Sequence, residues 1–392
     1  MDVEALSKSP VGKLVPISGT DAKWGPFSYF AFVPDPLPSS VPLKEATVRA
    51  VIDAGLALGR LDMAAERVPN PGLLVRPALR KEAQSTSALE GTYAPITEVL
   101  EGEIVGPEGV SAETREVLNY VFAAETGVQR LSERPISLNM LADLQGVLVK
   151  GTRGETYDAG RLRERQVLIG PKNEPIERAR FVPTPEGEPL KVGFSNWERW
   201  IHDEGDTHVL VKVTLGHYQF ETLHPFADGN GRLGRLIMTL QLIEAGVLKY
   251  PLLNIAEWLE PRKEEYVARL LATSIDGNFN SWVAFLCEGI KEQADAAVDR
   301  IDRLVAVRDT VLGTVLAAGS RRGGATYRIA DELIGYPIID VPSAAARQDV
   351  TYQSANEAIA RLVALGVLRE VRRSGRTRKI FLSDAVLNEL SR

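Results

Sequence analysis

The feature that most constrains this chain is a short polar segment, residues 224–235, between two apolar helical patterns. It reads His-Pro-Phe-Ala-Asp-Gly-Asn-Gly-Arg-Leu-Gly-Arg. Apolar residues at helical spacing precede it over residues 211–220 and follow it over residues 236–248. A base, a carboxylate, a glycine-rich turn and two arginines therefore share one loop between two helices. This arrangement predicts a mainly α fold and an anion-binding site at the start of the second helix.

The side chains of the loop suit different parts of a polyphosphate site. Gly229 and Gly231 permit positive φ and let backbone N–H groups approach an anion, to which the following helix presents its positive end. Asp228 supplies the hard oxygen ligand that Mg²⁺ prefers. Arg232 and Arg235 can each direct a guanidinium at phosphate oxygens.

One histidine of the loop is the candidate proton acceptor. His224 is the only obvious group there that can take a proton near neutral pH. All four histidines lie between His202 and His224, but their spacings of six, nine and seven residues match no common zinc-ligand pattern. Each feature of the loop alone is also compatible with an ordinary turn, a solvated helix end or a packed histidine. Their combination in this order favours chemistry.

In this order the residues resemble the signature of the Fic family, His-x-Phe-x-[Asp/Glu]-Gly-Asn-Gly-Arg-x-x-Arg, with every position filled. The resemblance extends over roughly two-thirds of the chain, about residues 24–289, and includes the helix that leads into the motif at residues 216–223. It implies transfer of AMP from ATP, with Mg²⁺ as cofactor, to a Tyr, Ser or Thr hydroxyl of a target protein. The sequence does not identify that target, and self-modification stays open.

The resemblance also implies a role for each residue of the motif. His224 would deprotonate the hydroxyl, Asp228 would hold Mg²⁺, and Arg235 would hold the γ-phosphate, with Arg232 supporting the phosphate site. The α- and β-phosphates would be cradled by Gly229, Asn230 and Gly231. These assignments agree with phosphoryl-type transfer, which depends on positioning and charge neutralisation.

Two further segments resemble parts of the family that bind substrates. Residues 160–163, followed by 166–170, look like the flap, a β-hairpin that positions the target's side chain. The flap residues are Val167, Leu168, Ile169 and Gly170. Many family members carry Asn-Arg and then paired tyrosines near adenine, where this chain reads Arg262-Lys263 and then Tyr266-Val267. Tyr266 is therefore a candidate adenine neighbour, a packed core tyrosine is the alternative, and the nucleotide preference stays open.

A second motif lies upstream, at the predicted end of a helix. Residues 86–91 read Thr-Ser-Ala-Leu-Glu-Gly and resemble the family's inhibitory motif, [Ser/Thr]-x-x-x-Glu-[Gly/Asn]. An acidic residue in a last helical turn opposes the helix dipole by a few tenths of a kcal/mol, so Glu90 calls for an explanation beyond helix formation. In the family this glutamate pairs with the second arginine, here Arg235, and repels the γ-phosphate. In some members it instead positions a water that removes AMP, so the direction of the reaction stays open.

The composition is that of an ordinary globular protein. The chain has 392 residues, of which 44% are hydrophobic and 25% are charged. It contains no run of 18 apolar residues and no basic N-terminal region before an apolar one, so we expect neither a membrane span nor a signal peptide. The single cysteine, Cys287, can form no internal disulfide, which fits a cytoplasmic location.

The length suggests two or three domains. We predict an N-terminal region with the inhibitory helix (1–110), a Fic-type core (111–290), a connecting helix and linker (291–320) and a winged helix-turn-helix domain (321–392). Residues 1–40 are expected to lie over the core as an extended arm. Helices are predicted over residues 43–61, 73–89, 111–130, 136–148, 193–201 and 207–220.

The predicted C-terminal domain has a basic hairpin. Its strands are expected over residues 368–372 and 377–382, with a turn at 374–375, and residues 321–392 hold 12 Lys and Arg against 8 Asp and Glu. The basic cluster at this wing comprises Arg372, Arg373, Arg376, Arg378 and Lys379. Such a wing can contact a phosphate backbone, so DNA binding, docking of a protein partner and a homodimer all stay open. A DNA-binding regulator with a nucleotide-sensing core is the rival function, although sensing alone does not need His224.

Overall fold

A computed structural model describes residues 1–106, 109–171, 173–371 and 379–391. In this part of the chain α-helices dominate, and the strands form a two-stranded and a three-stranded antiparallel sheet. The mainly α prediction is therefore confirmed. Within the described residues, no helix combines the length and the apolar character needed to cross a membrane.

The N-terminal arm is a β-hairpin, not an extended segment. After a short helix α1 (Val3–Leu6), strands β1 (Gly12–Asp21) and β2 (Gly25–Pro34) pair along their whole length. Apolar residues alternate along β2, so that Phe27 and Tyr29 face one apolar cluster and Phe32 faces another. The backbone N–H of Phe32 also donates to the carbonyl of Val182, at 2.9 Å, which fixes the hairpin to the core. The prediction missed this alternation because prolines and glycines interrupt it.

Eleven helices of the described chain follow before the C-terminal domain. They are α2 (Glu45–Ala65), α3 (Gly72–Leu89), α4 (Ile96–Val105), α5 (Ala112–Leu131), α6 (Leu138–Val149), α7 (Glu188–Ile201), α8 (Val209–Leu223), α9 (Asn230–Glu244), α10 (Ile255–Leu259), α11 (Lys263–Asp276) and α12 (Phe279–Ala317). The six predicted helices correspond to α2, α3 and α5–α8. The largest difference is at α7, which begins at Glu188 because a proline in its first turn needs no N–H partner there.

Helices α8 and α9 lie at the centre of the core and position the loop between them. Leu215 and Tyr218 of α8 belong to one large apolar cluster, whereas Phe220 and Leu223 belong to a second cluster. A helix that is buried on two sides cannot shift or rotate without opening packed contacts. The loop at residues 224–229 is therefore held between two buried helix ends.

Helix α12 connects the core to the C-terminal domain. It is 39 residues long and crosses the predicted boundary between residues 290 and 291 without interruption. Its N-terminus is capped by Asn278, whose side chain accepts a hydrogen bond from the N–H of Ser281. It packs along α2 and α8 at one end and against α13 and α16 at the other.

The C-terminal domain contains four helices and one small sheet among its described residues. In chain order these are α13 (Ala325–Glu332), β3 (Ile338–Ile339), α14 (Val341–Gln348), α15 (Tyr352–Ala364), β4 (Arg369–Val371), β5 (Ile380–Leu382) and α16 (Asp384–Leu390). The sheet order is β3-β5-β4, and both pairs are antiparallel. The winged helix-turn-helix assignment of this region stays a prediction. Four basic residues of the predicted wing, and its turn at 374–375, lie outside the described residues: Arg372, Arg373, Arg376 and Arg378.

Candidate active site

His224 ends helix α8 in a left-handed conformation. Its φ is 50° and its ψ is 62°, and its N–H donates to the carbonyl of Phe220 at 2.9 Å. This conformation costs a non-glycine residue about 1–3 kcal/mol, so the surrounding structure must hold it. Burial, helped by the positive charge of Arg163, lowers the pKa of His224 to about 4. The imidazole is therefore neutral at pH 7 and can accept a proton.

The carbonyls at the end of α8 are held by Arg163, which is 1% exposed. Its Nε donates to the carbonyl of His224 at 2.8 Å, and its Nη2 donates to the carbonyls of Leu223 and Thr184. Its own N–H donates to the carbonyl of Pro225 at 3.0 Å. Arg163 lies in the segment that resembles the flap, where no local sequence pattern indicates this role.

The side chain of Asn230 shapes the loop from within. Its Oδ1 accepts from the N–H of Phe226 at 2.9 Å, and its Nδ2 donates to the carbonyl of Phe226 at 2.7 Å. Gly229, with a φ of 82°, precedes it as the N-cap of α9. Asn230 therefore offers an anion its backbone N–H, because its amide group is already used.

Asp228 and Arg232 form a pair at the outer side of the loop. Arg232 is 3% exposed, and its terminal nitrogens lie 2.9 Å from Asp228 Oδ1 and 3.5 Å from Glu116 Oε2. The Asp228 side chain is 45% exposed, and its carbonyl accepts from Gln145 at 3.0 Å. Asp228 can thus reach a cation while its backbone stays fixed, and Arg232 orients it. Among the described residues, no three His, Cys, Asp or Glu side chains converge as a ready metal site.

The predicted inhibitory glutamate contacts the predicted γ-phosphate ligand. Glu90 is the C-cap of α3, and its Oε1 lies 2.7 Å from a terminal nitrogen of Arg235. Arg235 also donates through Nε to Thr86 Oγ1 at 2.6 Å and through a terminal nitrogen to the Thr86 carbonyl at 3.1 Å. Glu90 Oε1 lies so close to Gly231 Cα that a Cβ there would overlap it. The carboxylate therefore lies at the start of α9, at the predicted anion site.

The pKa shifts of this pair agree with its geometry. Burial alone would raise the pKa of Glu90, but the Arg235 guanidinium outweighs it and holds that pKa below its usual value. Glu90 in turn raises the pKa of Arg235 against the effect of burial. Lys263 adds a second positive charge, and its Nζ donates to the carbonyl of Leu89 at the end of α3. Both cations stabilise Glu90 in this position.

A cavity connects these groups. Its lining includes Glu90, Glu221, His224, Gly231, Arg235, Lys263 and Tyr266. Tyr266 is 5% exposed, and its hydroxyl lies 2.8 Å from His217 Nε2. Tyr266 is packed in the core and also forms part of the cavity wall, and its role as an adenine neighbour stays a prediction.

The predicted flap hairpin is very short and pairs through a single bridge. Among residues 152–189, as far as they are described, the regular pairing is one antiparallel bridge, in which Ile169 and Phe181 exchange two hydrogen bonds of 3.0 Å. Pro171 and Pro175 lack the N–H groups that a longer ladder needs. Gly170 is required for space, since a Cβ there would lie 2.8 Å from Arg180 N. Ile169 lines the cavity, while the other two flap residues line the neighbouring groove: Val167 and Leu168.

Two family models match this chain. The model described as Fic/DOC family N-terminal matches residues 48–129, and the model described as Fic/DOC family matches residues 135–242. These two regions are Fic/DOC family domains. Glu90 falls within the first matched region, and residues 224–235 fall within the second.

Similar proteins agree with this assignment. This chain is 29% identical over 143 residues to "Protein adenylyltransferase Fic" from Drosophila sechellia and from Drosophila melanogaster. Each match covers 36% of this chain and 26% of the relative, so it spans about a quarter of the relative's length. A crystal structure of a Fic family protein from Desulfovibrio desulfuricans G20 matches 89% of this chain and 98% of its own, with a TM-score of 0.55 and 20% identity. That match shows a shared fold.

Proposed function

We propose that this chain is a protein adenylyltransferase that Glu90 holds in an inhibited state. The observation that carries the proposal is the contact of Glu90 with both Arg235 and Gly231. A carboxylate in this position excludes an anionic γ-phosphate by charge and by volume. The name of the curated relatives, protein adenylyltransferase, supports ATP as the substrate.

The reaction would use the loop as follows. When Glu90 leaves, Arg235 binds the γ-phosphate, and the N–H groups at the start of α9 bind the other phosphates. Neutral His224 accepts the proton of a target hydroxyl, whose oxygen attacks the α-phosphorus while pyrophosphate departs. Asp228 would hold Mg²⁺ together with phosphate oxygens and waters, and Mg²⁺ would neutralise charge that develops on the phosphates.

The partners of this activity are part of the proposal. The acceptor is a Tyr, Ser or Thr hydroxyl of a cytoplasmic target protein, and self-modification provides a convenient readout. We propose that the C-terminal domain docks a partner, either a protein or DNA. Lys379 of the predicted wing lies within the described residues. It pairs with Glu370 at 3.3 Å, which partly neutralises the positive charge of the wing.

Release of inhibition can be measured directly. We expect Glu90→Gly to raise self-labelling from ATP and Mg²⁺ at least about tenfold, which corresponds to about 1.4 kcal/mol. Intact-mass spectrometry would show the addition of AMP. Glu133→Gly is the matched control, because Glu133 lies in an exposed turn after α5. Equal labelling of both variants would contradict the inhibitory role of Glu90.

The role of His224 as the base is tested in the Glu90→Gly variant, in which the inhibition is released. Adding His224→Ala to Glu90→Gly should lower the labelling rate by about 10²–10⁴-fold, the usual contribution of a general base. An unchanged rate would remove His224 from the mechanism.

The reverse reaction is the second candidate, since Glu90 lies in the same cavity as His224 and could orient a water there. A purified modified chain that loses AMP with wild-type protein, but not with Glu90→Gly, would favour removal of AMP.

A further inference from the structure

A second carboxylate lies beside the base. Glu221 is in the last turn of α8, three residues before His224, and its Oε2 lies 4.0 Å from His224 Nδ1. Its Oε1 is buried and has no hydrogen-bond partner, and His224 Nδ1 has no partner that meets hydrogen-bond geometry. A buried carboxylate oxygen without a donor costs free energy, so its presence at the cavity wall needs a reason.

The surroundings of Glu221 come from four helices. Arg235 of α9, Glu90 of α3 and Tyr266 of α11 all interact with it electrostatically. On its own helix, His217 lies next to it, since both side chains approach Gly234 of α9. The Glu221 Oε1 would lie 2.5 Å from a Cβ at position 234, so only glycine leaves room for this carboxylate.

These surroundings allow Glu221 to change charge near neutral pH. Burial raises the pKa of Glu221 to about 7, although Arg235 opposes the shift, and the negative charge of Glu90 adds to it. His224 is different, because burial and then Arg163 lower its pKa to about 4. Glu221 therefore titrates at a pH where the imidazole of His224 is already neutral.

The charge of Glu221 bears on which nitrogen of His224 carries the proton. A neutral imidazole is a donor at one nitrogen and an acceptor at the other. Nδ1 faces the last turn of α8, where the carbonyl and the carboxylate of Glu221 lie. Both groups are acceptors when Glu221 is ionised, so the proton then stays on Nδ1. When Glu221 is protonated its O–H can donate to Nδ1, which moves the imidazole proton to Nε2.

We propose that Glu221 is a positioning residue that selects the tautomer of His224 in which Nε2 can act as the base. This inference rests on the proposed function. In the reaction the O–H bond of the target breaks and its proton moves to Nε2. The oxygen forms a bond to the α-phosphorus, and the bond from that phosphorus to the bridging oxygen breaks, so that pyrophosphate leaves with the electron pair. The imidazolium that remains directs Nδ1–H at the Glu221 carboxylate, which stabilises it.

The first test is the pH dependence of transfer. In the Glu90→Gly background, which removes one charge that raises the pKa of Glu221, kcat/KM for self-labelling should still rise with pH as Glu221 loses its proton. Glu221→Gln should lower kcat by at least about tenfold, leave KM for ATP within about twofold and remove this acid limb of the pH profile. Glu221→Asp should restore the fall in kcat/KM at low pH, because it restores a titrating carboxylate. If Glu221→Gln and its parent lose activity in the same way as the pH falls, the proposal is overturned.

The second test does not depend on transfer. Long-range ¹H–¹⁵N NMR of histidine-labelled protein reports the tautomer of each imidazole, and His224→Ala identifies the signals of His224. Between about pH 5.5 and about pH 8.5 the signals should move from the Nε2–H to the Nδ1–H tautomer in wild type, but not in Glu221→Gln. If the tautomer of His224 changes neither with pH nor on substitution Glu221→Gln, the role of Glu221 is refuted. A tautomer that changes as expected in a protein without transferase activity would instead refute the proposed function.

Discussion

At the scale of single residues, two kinds of residue set the conformation of the loop at residues 224–235. Glycines leave space for neighbouring side chains, and polar side chains form hydrogen bonds to the backbone. Gly231 leaves space for the Glu90 carboxylate, and Asn230 uses its whole amide group to close the turn at Phe226. Gly154 is a less obvious example. A Cβ there would lie 2.7 Å from Asp228 Cγ and 2.9 Å from its Oδ1.

Gly154→Ala should therefore displace the Asp228 side chain while leaving the fold intact, because the overlapping group is a movable carboxylate. We expect the Mg²⁺ concentration for half-maximal labelling to rise about tenfold in the Glu90→Gly background. The measurement is a Mg²⁺ titration of the labelling rate. The control is Gly313→Ala in α12, where a Cβ meets no atom within 4 Å. Identical Mg²⁺ dependence in the two variants would exclude this role for Asp228.

At the scale of elements, the end of α8 is fixed by a side chain from a distant segment. Four orphan carbonyls remain at any helix C-terminus, and here Arg163 holds those of Leu223 and His224. The same guanidinium donates to the carbonyl of Thr184, so it also attaches the segment after the flap. The position of His224 therefore depends on contacts that the helix itself does not supply.

Arg163→Met should lower the free energy of unfolding by about 2–4 kcal/mol, since several buried carbonyls lose a charged donor. Chemical denaturation would measure the change. Arg165→Met, at an exposed neighbouring position, should stay within about 0.5 kcal/mol of wild type. Arg163→Lys keeps the charge but not the planar guanidinium, so its free energy of unfolding should lie between those of Arg163→Met and Arg165→Met. If Arg163→Met matches Arg165→Met, the carbonyl contacts do not stabilise the fold.

At the scale of the whole molecule, the C-terminal domain packs on the helix that carries Glu90 and on the next one. The Tyr336 ring lies between two guanidinium groups, at 4.1 Å from Arg76 of α3 and at 4.0 Å from Arg347 of α14. Leu100 of α4 joins an apolar cluster with Ile338, Ile380, Leu382 and Leu387 of the C-terminal domain. Gly335 also approaches the backbone of Leu73, since a Cβ there would lie 2.9 Å from the Leu73 carbonyl oxygen.

Tyr336→Ala should weaken this interface by about 1–3 kcal/mol, because two cation–π contacts and the buried part of the ring are lost. Limited proteolysis should then cut faster in the segment that follows α12, residues 318–324. Tyr352→Ala removes a ring that is 62% exposed and provides the control. The interface would not depend on Tyr336 if both variants were cut at the wild-type rate.

The fold was predictable wherever one local pattern decided it. Apolar spacing located α2, α3 and α5–α8, and the order of His224, Asp228 and the two arginines indicated the candidate site. The β1–β2 hairpin was missed and the short extent of the flap pairing was not foreseen, since pairing of strands depends on which surface covers them and on which N–H groups are free. Glycine and proline positions alone do not specify either condition.

What the sequence by itself determined is the set of groups in the loop and their order, because a helix end and a glycine turn form from neighbouring residues. Only the tertiary structure decided the charge of each group. Glu90 and Arg235 are 145 positions apart along the chain, so their hydrogen bond was expected from the resemblance to the Fic family and not from any local pattern. In the sequence, Glu221 has no feature that sets it apart from other helical glutamates. In the structure, residues of four helices surround it. Burial and long-range contacts set a pKa, and both depend on the packing of helices that are distant in sequence.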